Sequence, residues 1–355
     1  MEKLDNTVYA NDPVAQELLA NTALIAAENT TDPLTISDRY ALLELAVKSN
    51  VACALVGPGG TGKSVAVALL ANKLGIPLVI FQATAETRSS SLIGRLVPDP
   101  SDSSKLIFEK GLLLDAYEKG YWFDCEEYLQ FAPDQQSNFM KLLDKTSNSY
   151  IIKMPNDKIE VIKRHPNFRF IGTGNPDYNG NKERAKNESF LDRIKPTITI
   201  PELAAKAIVS MCLKRYPRYK KTKFFKVAFD LNKALSASTK ALLRKDLVFG
   251  TRSVNSLCEM FEADPTPMTK DMFKIAVEAT FCSSVAQIGG GGKILPDLFG
   301  DAAIAAHVDS LYDEYKKAFA IADPTQPAGT GQPAQPQSAQ PSDIFDALAA
   351  AGISA

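Results

Sequence analysis

The chain has 355 residues, 45% hydrophobic and 23% charged, which is enough for two or three globular domains and excludes a wholly disordered protein. Forty Lys and Arg residues are balanced by 41 Asp and Glu, so the net charge of −1 excludes nucleic-acid or membrane binding driven by overall charge. Five cysteines without paired metal-ligand spacing, and two histidines, argue against a zinc site and favour reduced thiols.

The N-terminal part of the chain predicts helices and gives no targeting signal. Its first residues are acidic and polar, and no segment approaches the ~20 apolar residues of a membrane span, so we expect a soluble cytoplasmic protein. Residues 13–28 place apolar side chains at helical spacing, and Ser37 is a plausible N-cap for a helix over 37–48. We therefore predict a helical segment over residues 1–36.

From Val51 onward, short apolar runs alternate with helical stretches. Such alternation is typical of a parallel sheet covered by helices on both faces. The runs cover residues 51–56, 77–81, 121–127, 168–175 and 197–200. We predict an α/β domain over residues 37–200, with a β-hairpin at about 150–162 that projects from the sheet.

The remainder of the chain contains no further strand signal. Residues 201–322 are rich in Ala, Leu, Lys and Phe and predict a second, all-α domain. Residues 323–341 are dominated by Pro and Gln and predict a disordered linker. Residues 342–355 begin with a capping serine and carry an apolar face, which is compatible with a short docking helix or, equally, with a frayed terminus.

The strongest motif is a phosphate-binding loop between the first predicted strand and the helix that follows it. The sequence GPGGTGKS satisfies the pattern GxxxxGK[ST] in the structural context that the pattern requires. Its backbone N–H groups and the helix N-terminus would hold ATP phosphates, the lysine would reach the β- and γ-phosphates, and the serine would ligate Mg²⁺. The predicted nucleotide ligands are Gly57, Pro58, Gly59, Gly60, Thr61, Gly62, Lys63 and Ser64.

The third apolar run, YWFDCEE, ends in acidic residues next to the expected magnesium position. Side chains two apart on a strand share a face, so Asp124 and Glu126 could both approach the water shell of the metal. A buried Asp124 without a partner would be costly, so we expect one to exist.

With these motifs in order, residues 37–260 resemble the AAA+ ATPases of the MoxR type and the related ATPase subunit of cobaltochelatase (CobS), in the dynein-related branch. The resemblance implies a three-layer P-loop sandwich with a parallel sheet, followed by an all-α lid. Aligned without a gap, Glu126 matches the metal-side Asp of the family, and Glu127 matches the glutamate that activates water. A competing frame makes Asp124 the metal-side residue and leaves Cys125 at the catalytic position.

The resemblance also implies roles for three residues outside the acidic run. Asn175 matches the sensor-1 residue that orients the attacking water. Arg193, in SFLDRIKP, matches the arginine finger that acts on ATP held by the next subunit, and a surface pair with Asp192 is the alternative. Arg252 matches the sensor-2 position, and the segment after residue 88 matches an insert that would project toward a ring pore together with the 150–162 hairpin.

These assignments predict an ATP hydrolase that works as a homo-oligomeric, hexameric ring and remodels or activates a partner protein. In the family such a partner commonly carries a von Willebrand A domain. One alternative is a nucleic-acid-directed motor that uses residues 213–226, where seven of fourteen residues are basic; a solvated helix is the favoured interpretation of that run. The other alternative is a nucleotide-dependent scaffold without catalysis.

Overall fold

The structure is a computed structural model, and the residues it describes are 4–29, 37–144, 146, 148–154, 158–176, 187–202, 204–243, 251–264, 266–282 and 291–320. The chain divides into two compact units, Met1–Glu202 and Leu203–Ala355. The predicted linker 323–341 and docking helix 342–355 lie outside the described residues.

The first unit is built on a parallel sheet formed by the predicted apolar runs. In chain order the strands are β1 (Cys53–Val56), β2 (Leu78–Gln82), β3 (Gly94–Asp99), β4 (Asp102–Lys110), β5 (Trp122–Glu126), β6 (Ser149–Lys153), β7 (Ile159–Lys163), β8 (Arg169–Gly174) and β9 (Thr197–Thr199). The sheet has the order β2-β5-β8-β1-β9, and all its pairings are parallel. The central strands β1 and β8 are buried along their whole length, because helices cover both faces.

The helices of the first unit precede the sheet or connect its strands. They are α1 (Pro13–Glu28), α2 (Asp38–Lys48), α3 (Lys63–Leu74), α4 (Ser89–Leu92), α5 (Leu112–Lys119), α6 (Pro133–Leu143) and α7 (Glu188–Arg193). The predicted cap of α2 is confirmed, since the Ser37 hydroxyl accepts a hydrogen bond from the Tyr40 N–H. Helix α1 begins after Asp12, whose carboxylate accepts from Val14 and Ala15. Helix α1 packs on α3 and β2 and is therefore part of this unit.

A buried hydrogen-bond cluster ties the N-terminal segment to the sheet. The Tyr9 hydroxyl donates to the Gly120 carbonyl at 2.7 Å and accepts from the Asn167 amide at 2.8 Å. Asn167 also accepts from the Asp5 N–H at 3.1 Å. Because Tyr9 is only 2% exposed, these contacts are shielded from water and anchor the segment before α1.

Two antiparallel hairpins accompany the sheet. The predicted hairpin near 150–162 is confirmed as β6 paired with β7. The insert after α4, which the family resemblance predicted without assigning strands to it, forms a second hairpin of β3 with β4. Both expose apolar side chains, among them Leu106 and Ile159.

The second unit is helical in its described residues, as predicted, with a core of its own. Its helices are α8 (Ala205–Arg215), α9 (Phe224–Leu243), α10 (Thr251–Glu262), α11 (Lys270–Phe281), α12 (Gly291–Gly300) and α13 (Ala302–Ala320). Residues 213–226 are not the single helix that the sequence favoured. They contain the end of α8, a 3-10 turn over Pro217–Lys221 and the start of α9, because Pro217 cannot continue α8.

Across both units, we find no helix among the described residues with the length and apolarity that crossing a bilayer requires.

Candidate functional site

The phosphate loop Gly57–Ser64 lies at the carboxyl end of β1, between β8 and β9. After β1 the chain crosses to β2 at the far edge of the sheet, and it later forms β8 and β9 on the two sides of β1. A crevice is expected at the carboxyl ends of the strands where the strand order reverses in this way. Gly60 and Gly62 have φ angles of 76° and 80°, which glycine adopts without strain. The loop leads directly into the N-terminus of α3, the geometry of a phosphate site.

The start of the loop is held tightly against neighbouring backbone. The Gly57 N–H donates to the Gly174 carbonyl at 3.1 Å, and a Cβ atom on Gly57 would lie 2.1 Å from the Ile200 carbonyl oxygen. The Ile200 N–H in turn donates to the Val56 carbonyl at 2.7 Å. Position 57 therefore accommodates only glycine without displacing backbone.

Lys63 lies inside the loop rather than in solvent. Its side chain is 9% exposed, and Nζ donates to the carbonyl oxygens of Gly57 at 3.0 Å and Pro58 at 2.7 Å. The ammonium group is thus already directed into the concave side of the loop, where phosphate oxygens would replace these carbonyls as acceptors.

Ser64 faces the neighbouring strand β8. Its Oγ lies 3.5 Å from the Thr173 Oγ1, and Thr173 is 2% exposed. In the sheet, Thr173 is the register partner of Leu55 on one side and of Glu126 on the other. The serine of the loop, the threonine of β8 and the end of β5 therefore meet at one level of the sheet.

Asp124 lies deeper in the same sheet and is completely buried. Among the described residues, no donor reaches either carboxylate oxygen with hydrogen-bonding distance and angle. Burial, followed by the nearby Glu126 carboxylate, raises the pKa of Asp124 well above its usual value, and the adjacent Thr173 hydroxyl offsets part of that shift. The hydrogen-bond partner expected from the sequence is therefore not found among the described residues, and the Thr173 hydroxyl is the polar group that partly offsets the burial.

The two glutamates after Cys125 are half-buried. Glu126 ends β5, and Glu127 adopts a left-handed conformation with φ of 53°, which turns its side chain away from the strand alternation. The Glu127 Oε2 accepts a hydrogen bond from the Asn175 N–H at 3.4 Å. The structure therefore brings together Glu127 and Asn175, which are 48 residues apart.

Cys125 has a different environment. Its side chain is fully buried, and burial together with the Asp124 carboxylate raises the pKa of its thiol well above the usual value. A neutral thiol in the core cannot act on water at the edge of the sheet.

Both predicted arginines are exposed. Arg193 is exposed at the end of α7, donates to the Ser189 carbonyl at 2.7 Å and approaches the Met140 sulfur at 3.9 Å. Asp192 forms an ion pair with Lys195, and both Lys195 and the nearby Arg193 lower the pKa of the Asp192 carboxyl group. Arg252 is exposed in the first turn of α10, in the second unit.

Comparisons with known proteins agree with this geometry. Residues 52–194 match the AAA domain of the dynein-related subfamily. The chain has the AAA+ fold. Midasin of Dictyostelium discoideum is 32% identical over 143 residues, which is 39% of this chain and 2% of midasin. Protein CbbQ of Hydrogenophilus thermoluteolus is 28% identical over 144 residues, 40% of this chain and 51% of CbbQ.

The chain thus spans about half or less of the curated relatives it matches. A crystal structure titled as a candidate ATPase from Cytophaga hutchinsonii is 13% identical, covers 83% of this chain and 98% of its own, and has a TM-score of 0.40, which is too low to add to the AAA+ assignment. The predicted α/β P-loop AAA+ fold with a helical region after it is confirmed.

The residues around the AAA+ loop fit a magnesium ion shared with a nucleotide. The Ser64 hydroxyl and the half-buried Glu126 lie at the same level of the sheet, and the buried carboxyl group of Asp124, which lacks a donor among the described residues, lies two residues deeper in the strand. Mg²⁺ usually takes one or two protein oxygens and completes its shell with phosphate and water. Consistent with this, no described group of three or more His, Cys, Asp or Glu side chains could hold a metal alone.

Thr173 is a polar residue of this AAA+ site that the sequence reasoning missed. The signal was present, since Thr173 is a hydroxyl residue in an otherwise apolar run that ends two residues later at Asn175. Its neighbours Ser64 and Asp124 come from other strands and loops, and only the sheet register shows that they adjoin it.

Proposed function

We propose that this AAA+ protein is a MoxR/CobS-type ATPase that hydrolyses MgATP in a hexameric ring of identical subunits and uses the energy to remodel or activate a partner protein. The observation that carries the proposal is the contact between Glu127 and the Asn175 backbone beside a well-formed phosphate loop. Sensor and base candidates that meet at the end of adjacent strands are what hydrolysis of a bound γ-phosphate requires.

In this proposal each residue has a specific task. Lys63 binds the β- and γ-phosphates, and Ser64 with Glu126 holds the Mg²⁺ ion, which when bound neutralises developing phosphate charge. Glu127 takes a proton from water as the water oxygen bonds to the γ-phosphorus. The bond from that phosphorus to the β–γ bridging oxygen breaks, and ADP leaves with the electron pair. Asn175 positions the water.

The burial of Cys125 supports the ungapped alignment of the acidic run. The competing frame would leave the catalytic position to this thiol, which is fully buried and held neutral by its surroundings. Glu127, half-buried at the strand end, has both the chemistry and the access of a general base.

The exposure of Arg193 supports a role between subunits. Its described contacts are to α6 and to its own helix, so the guanidinium is available on the surface of the first unit. An arginine supplied by a neighbour would stabilise charge on the transferred phosphoryl group. For Arg252 the sensor-2 role stays a prediction from the family resemblance.

Glu127→Gln tests the catalytic assignment. The variant should retain ATP binding and lose nearly all hydrolysis, because the amide cannot accept the proton of water. Glu118→Gln is the matched control, since Glu118 forms a surface ion pair with Lys110. Wild-type turnover in Glu127→Gln would refute the ungapped alignment of the acidic run and favour the competing frame, in which Asp124 is the metal-side residue.

Mixed oligomers test the ring. Subunits with Arg193→Ala and subunits with Lys63→Ala should each be inactive alone and partly active when mixed, because the two defects lie on opposite sides of a shared site. Failure to recover activity at any mixing ratio would contradict the trans role of Arg193.

The structure weakens the nucleic-acid alternative. Within residues 213–226 the interleaved aromatic side chains of Tyr216, Tyr219, Phe224 and Phe225 are buried in the core of the second unit and cannot stack on bases. Arg215 and Arg218 are paired with Glu259 and Glu262. The scaffold alternative would be favoured by turnover equal to background in the assembled protein.

The partner and location follow from the same proposal. A separate chain, such as one with a von Willebrand A domain, would be the target, and affinity capture with and without residues 323–355 would show whether this segment recruits it. All five cysteines are free and buried, which suits a reducing cytoplasm.

A further inference from the structure

A line of three buried or half-buried oxygen groups runs under the phosphate loop, from Ser64 through Thr173 to Asp124. The Ser64 and Thr173 oxygens are 3.5 Å apart, and Asp124 lies on the same face of the adjacent strand, two residues before Glu126, the register partner of Thr173. Thr173 is 2% exposed and Asp124 is fully buried, so water does not compete for these contacts.

If Ser64 binds a metal, its chemistry determines which of these groups donates a hydrogen bond and which accepts it. A hydroxyl that ligates Mg²⁺ must offer a lone pair to the metal, so its proton must point to another acceptor. For Ser64 the nearby acceptor is the Thr173 oxygen. Thr173 has one proton, and if it accepts from Ser64 it must donate elsewhere. Asp124 provides the oxygen that receives it.

We propose that Thr173 and Asp124 are positioning residues that orient the Ser64 hydroxyl, with the proton of Ser64 directed to Thr173 and the proton of Thr173 directed to Asp124. The inference rests on the proposed magnesium–nucleotide site. Such outer partners fix the orientation of a metal ligand and govern how well it binds.

The sheet register separates this role from that of a direct ligand. Thr173 is the register partner of Glu126, whereas Asp124 is paired with Ile171, two residues further from the carboxyl edge. Glu126 is therefore level with the hydroxyl that contacts Ser64, and Asp124 lies beneath it. The line also gives a reason for a carboxyl group in the middle of an apolar strand, where an isolated one would be costly.

The gain in nucleotide affinity that Mg²⁺ confers is the quantity to measure. We would determine the dissociation constant of a fluorescent ATP analogue with Mg²⁺ and with excess EDTA, in the full chain. Thr173→Val should reduce the magnesium-dependent gain about tenfold or more, the scale of losses at outer partners of metal ligands, and leave binding in EDTA unchanged. Thr173→Ser, which restores the hydroxyl, should recover most of the gain. Thr199→Val, in the exposed position at the end of β9, is the matched control and should behave as wild type.

Combined variants distinguish orientation from a general structural role. In a Ser64→Ala background, Thr173→Val should cause no further loss, because the hydroxyl it orients is gone. In a Thr173→Val background, Asp124→Ala should add less than a twofold loss, whereas a direct metal ligand would add a loss of its own. Thr173→Ala, which removes the hydroxyl without adding a methyl contact, replaces Thr173→Val if thermal melting shows that the valine variant is unfolded.

An undiminished magnesium-dependent gain in folded Thr173→Val or Thr173→Ala would overturn the inference while leaving the nucleotide site intact. Additive losses in the combined variants would overturn it as well. A wild-type protein that gained no affinity from Mg²⁺ would refute the proposed site and the inference with it.

Discussion

Replacing Gly57 with alanine tests the close packing at the start of the phosphate loop. The added Cβ would lie 2.1 Å from the Ile200 carbonyl oxygen and 3.1 Å from the Ile200 carbonyl carbon, whereas ordinary contacts are 3.4–4 Å. The Ile200 backbone cannot yield easily, because its N–H is hydrogen-bonded to Val56 at 2.7 Å. The loop itself must therefore move.

The cost should be that of forcing atoms into a packed site, about 1–3 kcal/mol. For a unit of roughly 200 residues each kcal/mol lowers the melting temperature by about 2–4 °C, so Gly57→Ala should melt about 2–12 °C below wild type. Differential scanning calorimetry of the full chain, without nucleotide, measures this on the transition of the first unit.

Gly59→Ala is the matched control in the same loop. A Cβ atom on Gly59 would have nothing within 4 Å, and its φ angle is not in the left-handed region. Its stability should stay within about 0.5 kcal/mol of wild type. Equal melting temperatures for Gly57→Ala and wild type would refute the description of a loop pinned between β8 and the chain after β9.

Three further predictions address other parts of the molecule. Burial raises the pKa of Tyr9 to about 12 from 10, so the neutral phenol stabilises the fold fully below pH 10 and that contribution is lost as the pH rises from 10 to 12. Tyr9→Phe should therefore reduce the loss of unfolding free energy at alkaline pH, measured by urea titration, and an unchanged pH profile would contradict the burial of the phenol. DNA should not change the ATPase rate of the wild type or of the double variant Lys220→Glu, Lys221→Glu, because the aromatic side chains within residues 213–226 are buried. A wild-type rate that DNA stimulates, and a double variant that loses this stimulation, would instead support the motor alternative. Chelation of Mg²⁺ should abolish hydrolysis reversibly, with activity restored by added Mg²⁺ and not by Zn²⁺, because the donors are oxygen atoms; activity that survives EDTA would contradict the proposed role of Ser64 and Glu126.

Most elements of the first unit could be predicted from local patterns. The strand β8 forms within a predicted apolar run, and α2 begins after its predicted cap Ser37. The loop at residues 57–64 is predicted by its glycine spacing and its final lysine and serine. These features depend on neighbours in sequence, so the residues themselves contain the information. The β3–β4 hairpin was missed because its polar residues obscure the alternation expected of strands.

The composition of residues 213–226 shows the limit of such patterns. Seven basic residues with interleaved aromatics are compatible with a nucleic-acid surface, and sequence alone cannot say which aromatic side chains face the core. Packing in the second unit decides this, because Tyr219 contacts Phe224 and Phe225 at ring distances of 4.5 and 5.5 Å. The aromatic side chains of residues 213–226 therefore lie in the core of the second unit, and lysine side chains lie at its surface.

The sequence by itself determined the phosphate loop, the five apolar runs that form the parallel sheet, and the identity of the acidic run, because each of these depends on residues within a few positions of one another. Only the tertiary structure decided that Ser64, Thr173 and Asp124 adjoin, and that Glu127 meets Asn175. These groups are brought together by the parallel register of β1, β8 and β5, and a register between distant strands is set by packing of the whole sheet.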